Sequence, residues 1–287
     1  MTSACNLCQH AAPTWYCRKN SIDVVRCLHC SLIYADEMQK NEDLIKHYSD
    51  EYFEPYLKTE SIHLKKRFGK RIQEIKQYVF PGSLLDVGCG AGFFLKLAAD
   101  AGYSTQGVEL SSYAANFARQ NFGLHVFQGE LSSAGFERES FDIITLWHIL
   151  EHIHDPGDFL SQVNGLLKKN GLLAVEVPNI GSLSARISGV KWELMAPKEH
   201  FYYFNESTIE RYLENSGFSI ISIRSFYWTT PAMILRAYAG NRQGLCNLLL
   251  HSLAVIASSL SFFRFQTALS VLPGDVFTIY AVKRGDS

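Results

Sequence analysis

The stretch LLDVGCGAGFFL, residues 84–95, constrains this chain most. An apolar run carrying one acid, Asp86, gives way to glycines at 88, 90 and 92 and then to a second apolar run. It reads as a strand that turns abruptly into a helix. With no Cβ at Gly88, Gly90 and Gly92, backbone N–H groups and the helix start can face a ligand at close range. A dinucleotide-binding fingerprint would place its third glycine at position 93, where this chain has Phe93. Glu109 closes the next such run, STQGVEL. A carboxylate there can accept both ribose hydroxyls of a nucleoside.

Strand-like and helix-like runs alternate around this loop. SLLDVG, STQGVEL, LHVFQG, SFDIITLW and GLLAVEVPN read as strands, and GFFLKLAADAG, SYAANFARQNFG and PGDFLSQVNGLLKK as helices between them. Such alternation predicts an α/β fold with a parallel sheet covered on both faces. Leu64, Phe68, Ile72, Ile75 and Val79 form the apolar stripe of a preceding helix that Pro81-Gly82 ends. The basic cluster KKRFGKR, Lys65 to Arg71, is expected on a solvated face of that helix. Ser207-x-x-Glu210 reads as a capping box opening the helix TIERYLENSG, and FSIISIRSF and DVFTIYAVKR as two later strands. At 287 residues, 47% hydrophobic and 19% charged, the chain suits one large α/β domain or a medium domain plus a small one.

Cys5-x-x-Cys8 and Cys27-x-x-Cys30 let four thiolates converge on one tetrahedral ion, the pattern of a structural zinc ribbon. So short a segment has little core of its own, and the metal would supply much of its folding energy. A pair of redox dithiols is the competing reading. Four thiolates close the coordination shell, so no catalysis is expected there. His10 and His29 lie close enough to replace a cysteine, and Cys17 reads as a bystander. Ser31 follows the second knuckle, where a glycine would ease the turn.

LDVGCGAGFF followed by GVELS resembles motif I and the second-strand acid of class I S-adenosylmethionine-dependent methyltransferases, over about residues 80–225 and the last strand. The resemblance implies a Rossmann-like, mostly parallel seven-stranded sheet. It implies that Asp86 and the loop Gly88–Gly92 hold the methionine part of S-adenosylmethionine and that Glu109 holds the ribose. Glu130, in FQGELS, would meet the adenine amino group, although the family more often has Asp there.

HILEH, residues 148–152, raises another reading, because His-x-x-Glu-His on a helix is a zinc-peptidase signature. Here it follows the apolar strand FDIITLW, whose carboxyl end lines the ligand crevice of an open sheet. Asp155-Pro156-Gly157 breaks any helix soon afterwards. His148 is therefore expected at the strand exit as a wall of the active site near the methyl group, with Glu151 and His152 in a short helical turn. A packed histidine bonded to backbone is the alternative for His148.

PKEHFYYFNEST, from Pro197, resembles the Glu-His-x-x-Tyr-Phe motif of nucleotide-sugar C-methyltransferases, which also carry an amino-terminal zinc-binding segment. The resemblance implies that Glu199 and His200 deprotonate the substrate. A histidine titrates near neutral pH, and an adjacent carboxylate raises its basicity. The match is partial, so carbon and oxygen acceptors both stay open. Tyr52 and Phe53 are candidates to close over the site.

Net charge is −1, with 27 basic and 28 acidic residues, which lacks the basic footprint of a nucleic-acid binder. A small-molecule acceptor, a sugar or sugar-nucleotide, is expected. An rRNA or tRNA methyltransferase is the alternative, because some guanine-modifying enzymes of this class also begin with a zinc ribbon. A non-catalytic module that docks through the ribbon is a third reading. GLCNLLLHSLAVIASSLSFF, residues 244–263, holds no charged residue and is long enough to span a bilayer, but Asn247, His251 and several serines weaken that reading. Packing within the protein or a homodimer, or peripheral membrane contact, are the alternatives. The amino terminus lacks the basic start and apolar run of a signal peptide, and a cytoplasmic location is expected. The expected layout is a zinc ribbon (1–40), an aromatic-rich lid and helix (41–80), a methyltransferase core (81–228), an apolar helical insertion (229–274) and a last core strand with tail (275–287).

Overall fold

The computed structural model describes residues 4–38, 61–226 and 274–285. Tyr52, Phe53 and the insertion with its uncharged stretch 244–263 lie outside the described residues. Among the described residues, no helix is long and apolar enough to cross a membrane.

The central sheet is built from β4 (Ser83–Val87), β5 (Ser104–Glu109), β6 (Val126–Gln128), β7 (Phe141–Trp147), β8 (Leu167–Pro178), β10 (Phe218–Phe226) and β11 (Val276–Lys283). Their order is β10-β11-β8-β7-β4-β5-β6. β4 pairs in parallel with β5 and β7, as do β5 with β6 and β7 with β8, while β11 runs antiparallel between β8 and β10. This is the mostly parallel seven-stranded sheet that the resemblance implies. Neighbouring residues point to opposite faces. Leu84, Ile143 and Leu172 join one buried cluster, whereas Leu85, Ile144 and Leu173 join another.

Helices α1 (Ser61–Ile75), α2 (Phe93–Asp100) and α3 (Ser112–Phe122) cover the first face; α4 (Pro156–Leu166) and α6 (Glu206–Asn215) cover the second, and a short α5 (Leu183–Ser188) follows β8. Phe68, Ile72 and Ile75 of α1 are buried, as their spacing predicts. Arg71 departs from the expected solvated face. It is 3% exposed, with its guanidinium 4.5 Å from the Trp147 ring centre, because it shares the buried side of α1 with Ile72 and Ile75. Two boundaries also differ. α4 stops at Leu166, since Leu167 already pairs with Phe141 in the sheet. α6 opens two residues earlier than expected, with its cap at Asn205 in place of Ser207. Asn205 Oδ1 accepts the Thr208 N–H at 3.0 Å and Thr208 Oγ1 accepts the Asn205 N–H at 3.0 Å, so Asn205 and Thr208 make the capping box.

The amino-terminal segment forms β1 (Pro13–Lys19), β2 (Ile22–Cys27) and β3 (Ile33–Ala35). A fourth strand completes their sheet: β9, Tyr202–Tyr203, immediately after His200. The ribbon is therefore hydrogen-bonded to the segment that carries the candidate base. Ala35 N donates to Phe201 O at 2.9 Å, and Tyr212 Oη donates to Asn6 Oδ1 at 3.0 Å.

Candidate active site

The glycine loop takes the conformation its composition requires. Gly88, Gly90 and Gly92 have φ of 71°, 53° and 81°, a region that residues with a Cβ rarely enter. Two of them are also demanded by packing. A Cβ on Gly88 would fall 2.0 Å from Ile149 Cδ1, and one on Gly92 would fall 2.8 Å from Ala118 Cβ. Ile149 belongs to the HILEH segment, so the two motifs are in contact.

Glu109 ties the loop to the next strand. Its Oε2 accepts the Gly90 N–H and its Oε1 accepts the Ser111 N–H, both at 2.8 Å. Each carboxylate oxygen has a further lone pair for a ligand hydroxyl. Burial raises the Glu109 pKa, against the pull of those N–H groups. Asp86, 1% exposed, accepts a hydrogen bond from Thr145 Oγ1 at 2.6 Å. Glu130 follows Gly129, whose N–H bonds the Glu109 carbonyl, so Glu130 stands beside the end of β5. The cradle thus offers a bent backbone, two buried acids and a third acid alongside, which fits a cationic nucleoside such as S-adenosylmethionine.

Burial pushes the Asp86 pKa up to about 7, with the Thr145 hydrogen bond and Arg71 opposing. Because the unfolded carboxyl ionises at about 3.9, stability falls between about pH 4 and 7 and levels off above, and a cationic ligand that favours ionised Asp86 offsets that cost. Affinity for S-adenosylmethionine is expected to rise with pH across about 6 to 8, with a proton released on binding near neutrality. Calorimetry in buffers of different ionisation enthalpy reads this directly. Asp86→Asn should flatten the profile; a wild-type profile already flat would contradict it.

Beside this cradle, β7 ends in a short 3₁₀ turn, Leu150–His152, with His148 at φ 57°. A turn of three residues is not the regular helix a zinc peptidase uses. His148 stands between two buried carboxylates, with Nδ1 3.2 Å from Glu151 Oε1 and Nε2 3.0 Å from Glu176 Oε1. Burial opposes its protonation, but the two acids outweigh it and raise its pKa. Glu176 also pairs with Arg67 at 2.6 Å and with Arg71, and it accepts from Thr278 Oγ1 at 3.1 Å. Against its burial, Arg71, His148 and Arg67 hold its carboxyl far below the usual carboxylate range.

His200 lies across from this turn, 9% exposed. Its Nδ1 donates to the Leu194 carbonyl at 2.8 Å, and its ring meets that of His152 edge-on, 4.8 Å between centres. His152 Nδ1 donates to the Glu199 carbonyl at 2.9 Å, so Glu199 positions His152 through its backbone. Donor atoms of Glu151, His152 and His200 lie within 4.8 Å of one another. The buried carboxylate in this cluster is Glu151, 0% exposed. Glu151 sits in HILEH, whereas Glu176 and Arg71 have no local sequence signal beyond the acid at 176 within the apolar run GLLAVEVP.

The four ribbon cysteines are gathered. Cys5 Sγ lies 3.5 Å from Cys30 Sγ, and Cys8 Sγ lies 3.5 Å from Cys27 Sγ. Tetrahedral zinc with bonds of about 2.3 Å places sulfurs roughly 3.8 Å apart, so the set fits that ion. Ser31 adopts φ 65°, the left-handed turn that a glycine would ease. Cys17 packs apart from these thiols with Val24, Ile33 and Trp192, and His10 and His29 stack on each other at 5.0 Å.

A Rossmann-like sheet, a glycine bend at the end of β4 and an acid at the end of β5 define a class I S-adenosylmethionine-dependent methyltransferase. Residues 56–223 match the family model described as a methyltransferase domain, and the chain belongs to that family. It is similar to the ubiquinone biosynthesis O-methyltransferase of Pasteurella multocida, at 32% identity over 105 residues, 31% of this chain and 43% of that one. The protein of the same name from Azoarcus sp. is 24% identical over 185 residues, 59% of this chain and 76% of that one. The matches span 43% to 48% of the length of the first of these relatives. In fold, the chain is similar to an S-adenosylmethionine-dependent methyltransferase of Thermotoga maritima, with a TM-score of 0.57, 17% identity, and 84% of this chain and 100% of that one covered. It is also similar to phosphoethanolamine N-methyltransferase 2 of Haemonchus contortus in complex with S-adenosyl-L-methionine, with a TM-score of 0.55, 16% identity, and 88% and 62% covered.

Proposed function

We propose that this chain transfers a methyl group from S-adenosylmethionine to a small molecule, most simply to a hydroxyl oxygen of a sugar or sugar-nucleotide. The observation that carries this reading is the buried cluster around His200, placed beside the glycine loop through the contact between Ile149 and Gly88. When bound, the cofactor supplies an electrophilic methyl group. Asp86 and the loop Gly88–Gly92 would hold its methionine part, Glu109 its ribose and Glu130 its adenine. His200 serves the removal of the acceptor's proton, with Glu199 fixing the neighbouring His152 and His148 walling the site. Oxygen as the acceptor atom is supported by relatives named as O-methyltransferases. The sugar class is supported by the EHFYYF segment. The ribbon cysteines Cys5, Cys8, Cys27 and Cys30 would hold a structural zinc. The uncharged stretch 244–263 would pack within the protein or a homodimer, or touch a membrane surface carrying a lipid-linked acceptor.

The test combines product mass analysis over a panel of sugars and nucleotide-sugars with one variant. His200→Ala should lower turnover by about 100-fold or more, in the range of lost proton-transfer catalysis, and leave affinity for S-adenosylmethionine unchanged. Unchanged turnover would reject the role of His200. Methylation of RNA in place of any small molecule would reject the acceptor class.

A further inference from the structure

Glu151, His152 and His200 share a feature that the methyl-transfer reading leaves unused. Among the described residues, Glu151 Oε2 is buried without a hydrogen-bond partner. An orphaned carboxylate oxygen in the interior is costly and calls for a donor or a cation. The nearby imidazoles are oriented as metal-binding histidines are, each with one ring nitrogen on a backbone acceptor. His200 Nδ1 donates to the Leu194 carbonyl at 2.8 Å and His152 Nδ1 to the Glu199 carbonyl at 2.9 Å. Those bonds place the lone pair of each ring on Nε2. The two rings meet at 79°, so they approach from different directions instead of stacking. One donor atom from each of the three residues lies within 4.8 Å of the others. Bonds of about 2.0–2.2 Å to zinc would draw these atoms together by roughly 1 Å.

We propose that Glu151, His152 and His200 form a binding site for one divalent first-row transition-metal ion, with its open positions turned toward the acceptor. Two imidazoles and one carboxylate suit zinc, manganese or iron, and three protein ligands leave room for a substrate oxygen. This site is separate from the four thiolates of the ribbon. It deepens the methyl-transfer reading and rests on it. The ion binds the acceptor hydroxyl and makes it acidic. The O–H proton passes to solvent water, and the oxygen's electron pair forms the new bond to the methyl carbon. The carbon–sulfur bond breaks with its electron pair going to sulfur, leaving a neutral thioether. His200 then serves as a ligand, and its loss stops turnover by releasing the ion.

The test uses the full chain with zinc kept in its ribbon. Manganese(II) is titrated in and followed by electron paramagnetic resonance. The expected result is one bound ion per chain, with imidazole nitrogen couplings in the pulsed spectrum. Glu151→Gln and His200→Ala should each weaken binding at least tenfold while affinity for S-adenosylmethionine is unchanged. Wild-type protein that binds no manganese, or binds it without nitrogen couplings, would overturn the site. Because the pulsed spectrum is read on wild type, the result stands even if a variant fails to fold. Loss of manganese binding alone leaves the methyltransferase reading intact. Failure of wild type to bind S-adenosylmethionine removes that reading instead.

Discussion

Glu109→Ala is expected to weaken S-adenosylmethionine binding by about a hundredfold or more, since hydrogen bonds to a charged group contribute roughly 1.5–3 kcal/mol each. The effect has two sources. The ribose hydroxyls would lose the acceptor proposed for them, and the Gly90 and Ser111 N–H groups lose theirs at the same time. The glycine bend is held to β5 by that carboxylate and by the Val108 carbonyl, which accepts from Gly88 and Cys89 at 2.8 and 3.1 Å. Removing one tether leaves the second, so the sheet should still fold while the cradle loosens. Binding is checked by calorimetry and folding by the thermal transition. Glu109→Gln keeps the size and one acceptor oxygen, and it should fall between wild type and alanine. An alanine variant that binds as wild type does would remove Glu109 from the cofactor site.

Loss of the zinc proposed for the ribbon is expected to act at a distance on turnover. Structural zinc contributes about 10–16 kcal/mol of apparent folding free energy in small isolated zinc peptides; this ribbon is also anchored by β9 and by its buried Val25, Leu32 and Tyr34. Its strand β3 pairs with β9, Ile33 with Tyr203 and Tyr34 with Tyr202, directly after His200. Phe201 then joins both sides, accepting from Ala35 N and donating its own N–H to the Glu151 carbonyl at 2.8 Å. Cys27→Ser should therefore lower the thermal transition and cut turnover by at least tenfold, by the removal of this support. Affinity for S-adenosylmethionine should change little, because the glycine loop and Glu109 are anchored to β5. Metal analysis, thermal unfolding and a binding titration on the same preparation separate these effects. Turnover that survives loss of the metal would show that the ribbon does not position His200.

The parts legible in the sequence are those written in local order. The glycine bend follows from residues that tolerate a left-handed backbone, and Glu109 follows from its place at the end of the next strand. The paired cysteines were legible because each knuckle is a turn of four residues. The helix boundary at Leu166 was not legible, because Leu167 is drawn into the sheet by Phe141, far away in sequence. Arg71 was misread for the same reason. A run of basic residues suggests a wet helix face, whereas Glu176, brought in by β8, gives one of them a buried partner. The cluster of Glu151, His152 and His200 joins two loops across the sheet edge, and no periodicity encodes that meeting. HILEH did carry a signal for metal chemistry, but its third protein ligand in the proposed site comes from the EHFYYF segment.

A crystal structure of the chain grown with S-adenosylhomocysteine tests the central claim most directly. The account predicts the nucleoside lying over Gly88–Gly92, with both ribose hydroxyls on the Glu109 carboxylate and its sulfur turned toward the exit of β7. A nucleoside bound elsewhere, or a cradle that stays empty at saturating ligand, would contradict it.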